Sequence, residues 1–316
     1  MRSVVSTRST PLLALLAVIV TACAANRAPE LAPSKLAELW QRPDDIARRD
    51  LFHGPGGRRL APAAGGRYTL IDIDDKGFSP GYDVKDDRGR EWSVKLGPEA
   101  RTEVVVSRIV WAAGYHQPDL YYVPRWSLVD EQGKVTSQPP ARFRLERDER
   151  PKVGEWSWRD NPFIGTRQFA GLFTLMVLVN NWDIKTSQNA VYQRGDDGEA
   201  PRQYVVRDLG ASLGKTSWFF PGVRDDVEAF EREPFIHSVE GNRVRFHYKG
   251  AWLEPQLNTI VSPDDVVWIC QLLAQLTPQQ WRDAFRSGGY SEPEARRFIT
   301  RLRGKIDEGL QLRARA

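Results

Sequence analysis

The chain has 316 residues, 41% of them hydrophobic and 27% charged, which suffices for a sizeable core and excludes a disordered or fibrous polymer. Forty-five Lys and Arg against 41 Asp and Glu leave a net charge of +4, with no basic block of five or more, so no nucleic-acid partner is indicated. Two cysteines, Cys23 and Cys270, are too few for a disulfide framework.

In chain order, Met1 to Arg8 carries two arginines and no acid, and PLLALLAVIV (11–20) is an apolar run too short to span a bilayer. It has the length of a signal-peptide core and ends in Val20-Thr21-Ala22-Cys23, which resembles a bacterial lipoprotein signal with Cys23 as the lipidated residue. An ordinary secretory signal with an incidental cysteine is the alternative. Ala24 in place of an acid implies, by the same resemblance, the outer membrane facing the periplasm. Stable anchoring takes more than one acyl chain, at about 0.8 kcal/mol per buried CH₂, which a multiply acylated Cys23 would satisfy. Cys270 in VVWICQLLAQL is expected in the core.

After a signal peptide over 1–23, residues 24–50 are expected to form a tether and N-terminal extension, Ala/Pro-rich to about residue 34. Strands are predicted at RYTLIDID, YDVKD and EWSVKL, an antiparallel meander from Arg67. GPEARTEVVVSRIVWAAGY (97–115) reads as a helix, with Pro98 in its first turn and Gly114 closing it. DLYYVPRWSLVD and ARFRLER read as two more strands. GTRQFAGLFTLMVLVNNW (165–182) is apolar nearly all round and predicts a helix buried on every side. NAVYQR and RQYVVRDL predict short strands about a solvated GDDGEA turn, and 235–250 a hairpin. Helices then start at SPDD, TPQQW and SEPE, with a Phe298, Ile299, Leu302, Ile306, Leu310 stripe. The fold class is therefore α+β: a β-rich N-terminal lobe over 51–145 and a mainly helical C-terminal lobe over 146–316. Trp156 and Trp158 predict a packed loop, and the four histidines show no metal-ligand spacing.

YVVRDLGASLG (204–214) contains two competing signatures. Gly210-Ala211-Ser212-Leu213-Gly214 fits the nucleophile elbow G-x-S-x-G, which would make Ser212 an acyl-transfer nucleophile. An elbow needs a helix leaving the serine at once, and KTSWFFPGVRDD has poor helical periodicity. Asp208-Leu209-Gly210 fits instead a loop whose carboxylate holds a metal beside a nucleotide. Asp183 upstream can accept the proton of an attacking hydroxyl, Asn189 and Asp208 can bind a divalent metal, and Lys185 can reach a transferred phosphate. Lys95 on the third strand can bind phosphates if a carboxylate positions it, and Glu103 on the next helix is the expected partner. The loop DKGFSPGYDV, with Gly77 and Gly81, lies where it would cover the phosphates.

In this order and context Lys95, Glu103, Asp183, Asn189 and Asp208-Leu209-Gly210 resemble the protein-kinase-like fold over roughly residues 67–300. The likeness is to its atypical members: HipA-type bacterial kinases, lipid kinases, and kinases of the secretory pathway and spore coat. Asn181-Trp182-Asp183 is similar to the HipA-type N-x-D opening. The resemblance implies a two-lobed kinase-like fold with Mg²⁺ or Mn²⁺ and ATP or another nucleotide as cofactors. It implies that Lys95 binds phosphate, Glu103 pairs with it, Asp183 is the base, and Asn189 and Asp208 hold metal. The chain departs from the family pattern in a G-x-x-x-G loop, in lacking His-Arg before Asp183, and in Leu209 replacing phenylalanine. Asn189 also lies six residues after Asp183, one more than the pattern, so either the loop bulges or Asn189 is not the ligand. RDLFHGPGG, GFSPGYDV and NNWDIKTSQN resemble a family of bacterial secreted proteins, a likeness that implies no activity. Two functions follow as expectations: Mg-dependent phosphoryl or nucleotidyl transfer to a protein or small-molecule acceptor by a membrane-tethered kinase-like protein, or a catalytically inactive kinase-like binding or scaffold lipoprotein.

Overall fold

The structure is a computed structural model that describes residues 31–74, 79–147, 149–193, 200–217, 222–250 and 260–314. The signal stretch, Cys23 and Gly77 lie outside the described residues. From Leu31 onward the chain forms one compact unit. None of the described helices is long and apolar enough to cross a membrane.

Short helices α1 (Pro33–Leu36) and α2 (Gly57–Leu60) precede a seven-stranded sheet. Its strands are β1 (Arg67–Asp74), β2 (Gly81–Lys85), β3 (Glu91–Leu96), β4 (Leu120–Val123), β5 (Trp126–Val129), β6 (Val135–Gln138) and β7 (Ala141–Leu145), in the spatial order β4-β7-β3-β2-β1-β5-β6. Helix α3 (Glu99–Ala112) joins β3 to β4. Every pairing in this sheet is antiparallel except β1 with β5. The three-strand meander and α3 lie where the sequence predicts them. ARFRLER is β7, but DLYYVPRWSLVD is split into β4 and β5, because Pro124 has no N–H to continue a ladder. β4 therefore pairs with β7 while β5 crosses to the far edge beside β1, and β6 returns along β5.

The sheet has two faces of opposite chemistry. Tyr68, Val84, Trp92, Val94, Trp126 and Phe143 pack together on the outer face. Ser93, Lys95, Arg142 and Arg144 alternate with them and face inward, as the two-residue period of a strand requires.

The remainder comprises β8 (Lys152–Gly154), α4 (Arg167–Leu178), a sheet of β9 (Asn189–Gln193) and β10 (Arg202–Val206) with β8, then α5 (Val227–Arg232) and the hairpin β11 (Ile236–Glu240) with β12 (Arg243–Phe246). Helices α6 (Pro263–Leu273), α7 (Pro278–Ser287) and α8 (Glu292–Leu310) complete it. Helix α4 is buried from Phe169 to Leu178, as its all-round apolarity predicts, and Cys270 of α6 sits in the same core. The three last helices begin where the sequence places them: Ser262 and Thr277 each form a capping box with the residue three positions on, and Ser291 precedes α8. The α+β class, with a β-rich first half and a mainly helical remainder, is the observed one.

Candidate active site

Residues distant in sequence meet in a cavity of about 410 Å³ below the inward face of the sheet. Lys95, Asp183, Lys185 and Asp208 all line it, and so do Gly81 and Glu103. Hydrogen bonds between loops bring the two carboxylate segments together. The Gln188 carbonyl accepts from the N–H groups of both Arg207 and Asp208, and Trp182 N–H donates to the Ala211 carbonyl.

Lys95 projects from β3 toward two carboxylates. Its Nζ lies 2.9 Å from Asp208 Oδ2 and 2.8 Å from Glu99 Oε2. Glu99, in the first turn of α3, also accepts from Ser79 Oγ at 3.0 Å and pairs with Arg224. The expected Lys95–Glu103 pair is therefore corrected to Lys95–Glu99. Glu103 lies one helical turn further along the same face and is paired with Arg142 of β7 at 3.1 Å, both side chains being buried. A lysine near the end of β3 reaches the start of the following helix, and the arginine beside it on β7 takes the carboxylate one helical turn further on.

Asp208 follows β10, and its Oδ1 accepts from Gly210 N–H at 3.2 Å. Burial, the largest single influence, would raise its carboxyl, but the Lys95 ammonium, the Gly210 N–H and Arg142 together hold it below the usual carboxylate range. Gly210 is required at its position, since a Cβ there would come within 2.7 Å of Glu99 Cβ. Leu209 is fully buried in the main core, which locks the loop.

Asp183 accepts from Lys185 Nζ and Gln188 Nε2, each at 2.9 Å, through Oδ2. Among the described residues its buried Oδ1 has no hydrogen-bond partner, which leaves it able to accept a proton or a cation. Asn189, the expected metal ligand, does not face the cavity. It is buried, and its Nδ2 donates to the Trp156 carbonyl at 2.9 Å. The chain turns at this point: Gln188 ends a 3-10 turn over Thr186–Gln188 and lines the cavity, while Asn189 opens β9 with its side chain in the core. Gln188 stands five residues after Asp183, so the family spacing is met by an amide one position earlier, and no bulge is needed.

Ser212 is fully buried with its Oγ enclosed, and Leu213 follows in a left-handed conformation with no helix, so the elbow motif offers no exposed nucleophile. His237 and His247 meet on the β11–β12 hairpin at 3.2 Å. No group of three or more His, Cys, Asp or Glu suited to a metal occurs among the described residues. A dication in the cavity would thus find its oxygens in Asp208, the amide of Gln188 and the orphaned Asp183 Oδ1. This sparse set suits magnesium, which keeps several waters and is completed by phosphates.

Sequence reasoning missed Glu99, Gln188, Arg142 and Arg224. The first two were accessible: Glu99 is four residues after Lys95, and Gln188 keeps the strict spacing. Arg142 and Arg224 carry no local signal.

No protein-family model matches the chain, and no curated protein does. Among solved structures it is similar to CtkA, a proinflammatory kinase of Helicobacter pylori, at 11% identity and a TM-score of 0.48, over 78% of this chain and 97% of that one. It is similar to the Golgi casein kinase at 10% identity and a TM-score of 0.39, over 86% of this chain and 77% of that one. HipA of Shewanella oneidensis matches at 9% identity and a TM-score of 0.34, over 80% and 67%. At these identities and scores the likeness concerns architecture and says nothing of activity.

Proposed function

We propose that the protein is a kinase-like phosphotransferase, tethered to the membrane through Cys23, that moves a phosphoryl group from a metal-complexed donor to a hydroxyl acceptor. The observation that carries this reading is the convergence of Lys95, Asp183 and Asp208 on one cavity. Lys95, held between Glu99 and Asp208, presents its ammonium to donor phosphates. Asp183, with one oxygen oriented by Lys185 and Gln188 and the other unpartnered, accepts the proton of the attacking hydroxyl. Lys185 then faces charge gathering on the transferred group. When bound, a divalent cation neutralises the donor phosphates, with Asp208 and Gln188 the residues that would hold it.

A second reading, a binding or scaffold lipoprotein without turnover, is favoured by the substitution of Gln188 for a metal-binding asparagine and by the turning of Asn189 into the core.

Thermal unfolding with and without magnesium and nucleoside triphosphate tests the first reading. Ligand at 100 times its Kd stabilises by about 2.7 kcal/mol, and Asp208→Asn is expected to abolish the metal-dependent part while the variant stays folded. No shift in either protein removes the phosphate-site reading. A shift without release of phosphate or labelling of any hydroxyl acceptor selects the scaffold.

A further inference from the structure

The β11–β12 hairpin carries an irregularity that strand alternation does not predict. Ser238 pairs with Arg245, Val239 with Val244 and Glu240 with Arg243. Continued regularly, that ladder would set His237 opposite the buried Phe246 and Ile236 opposite the exposed His247. The register shifts instead between Ile236 and Ser238. Ile236 pairs with Phe246 and packs on the main core, and His247 N–H donates to the Phe235 carbonyl at 2.9 Å. His237 is thus the extra residue of a β-bulge, which turns it out of the core face and toward His247.

The two histidines stand ten residues apart in the chain, yet the hairpin brings His237 Nδ1 to 3.2 Å from His247 Nε2. Two nitrogens each about 2.0–2.1 Å from a tetrahedral zinc ion lie about 3.3 Å from one another, so the observed separation is the bite of a chelating pair. The ring planes stand at 86°, which lets both rings approach one ion without colliding. Both side chains are exposed, so the outer nitrogens, His237 Nε2 and His247 Nδ1, can keep their protons in contact with water while the inner two offer lone pairs. The competing state, a single N–H···N bond between two neutral rings, contributes little in open solvent, where water serves both nitrogens as well. Arg245, the cation opposite Ser238 on the same hairpin, is paired with Glu240 at 3.0 Å, which offsets its charge beside a dication.

We propose that His237 and His247 form a surface site for one borderline transition-metal dication, zinc, with water in the two remaining positions. Imidazole nitrogen suits such an ion, whereas magnesium prefers oxygen, so this site differs in chemistry from the cavity below the sheet. Binding moves the shared inner proton to the outer nitrogen of the same ring, with no change in net protonation or oxidation state. The proposal is independent of the phosphotransfer reading and stands or falls without it.

Titration calorimetry of the full-length chain in detergent with zinc chloride tests it. The wild-type chain is expected to bind zinc, and His237→Gln and His247→Gln, both at exposed positions, are each expected to weaken that binding about tenfold or more. The double variant should weaken it little further, because a lone imidazole holds zinc poorly. Zinc binding that is absent, or unchanged in both single variants, overturns the proposal. A loss in one single variant only would assign the ion to a solitary histidine, and overturns it too. So does a loss confined to His53→Gln, which would move the ion to the pair formed by His53 Nδ1 and Asp50 Oδ2.

Discussion

At the residue scale, the pairing of charges in the cavity is decided by reach. Two glutamates one helical turn apart compete for Lys95, and the nearer, Glu99, takes it because the β3–α3 connection is short. Glu103 is left facing Arg142, in a pair with almost no solvent contact. Removing one partner of such a pair strands the other charge in low dielectric, whereas the pair itself adds little net stability. Glu103→Ala is therefore expected to cost about 3–5 kcal/mol in urea unfolding, as an Arg142 left without its carboxylate demands. A loss below about 1 kcal/mol would mean that water reaches Arg142 and that the pair is not sealed.

At the element scale, helix α8 reaches into the loop that carries Asp183. Lys305 of α8 is fully buried; its Nζ donates to the Leu178 carbonyl at 3.1 Å and to Asn180 Oδ1 at 2.8 Å. Asn180 adopts a left-handed conformation and donates to the Gly214 carbonyl, so one amine links α8, the end of α4 and the segment after Asp208. Burial, and then Arg301, push the Lys305 amine well below its ordinary value, against the weaker pull of Glu233 and Glu308. An unfolded lysine titrates near pH 10.4, so between the folded value and about 10.4 the unfolded state binds more protons and stability rises with pH. Lys305→Met removes that slope: as the pH is raised toward about 10.4 the wild-type chain should gain stability relative to the variant in paired urea titrations. Parallel curves would contradict the lowering of the Lys305 amine.

Helix entry in the same region is set more simply. Ser262 Oγ accepts from Asp265 N–H, and the Asp265 carboxylate bonds back to Ser262 N–H at 3.0 Å. Ser262→Ala is expected to cost about 1 kcal/mol in equilibrium unfolding, the ordinary loss of an N-cap. An unchanged midpoint would show that α6 is held by packing alone.

At the scale of the whole molecule, residues 31–50 form a strap packed onto the body. Leu39 and Ile46 are in the main core, Trp40 Nε1 donates to the Ala113 carbonyl at 2.7 Å, and Gln280 Nε2 donates to the carbonyls of Ile46 and Arg49. Leu39→Ala should cost about 2–5 kcal/mol, as for other fully buried leucines. A near-neutral effect in thermal unfolding would mean that the strap detaches without opening the core.

Composition and periodicity determined much by themselves. Alternation located the three strands that carry Lys95, all-round apolarity located the buried α4, and capping residues located the last three helices, because these are local rules that a short window satisfies. The order of Lys95, Asp183 and Asp208 was also legible, since each sits at the edge of an element whose pattern is strong. The partner of Lys95, the inward turn of Asn189 in favour of Gln188, the parallel crossing of β5 to β1, and the arrival of Arg142, Arg224 and Lys305 were decided only by the tertiary structure. These depend on which strand lies beside which and which face of an element meets its neighbour. Such contacts join residues far apart in sequence, 127 positions for Lys305 and Leu178 and 234 for Gln280 and Ile46, and no pattern within a single window encodes them.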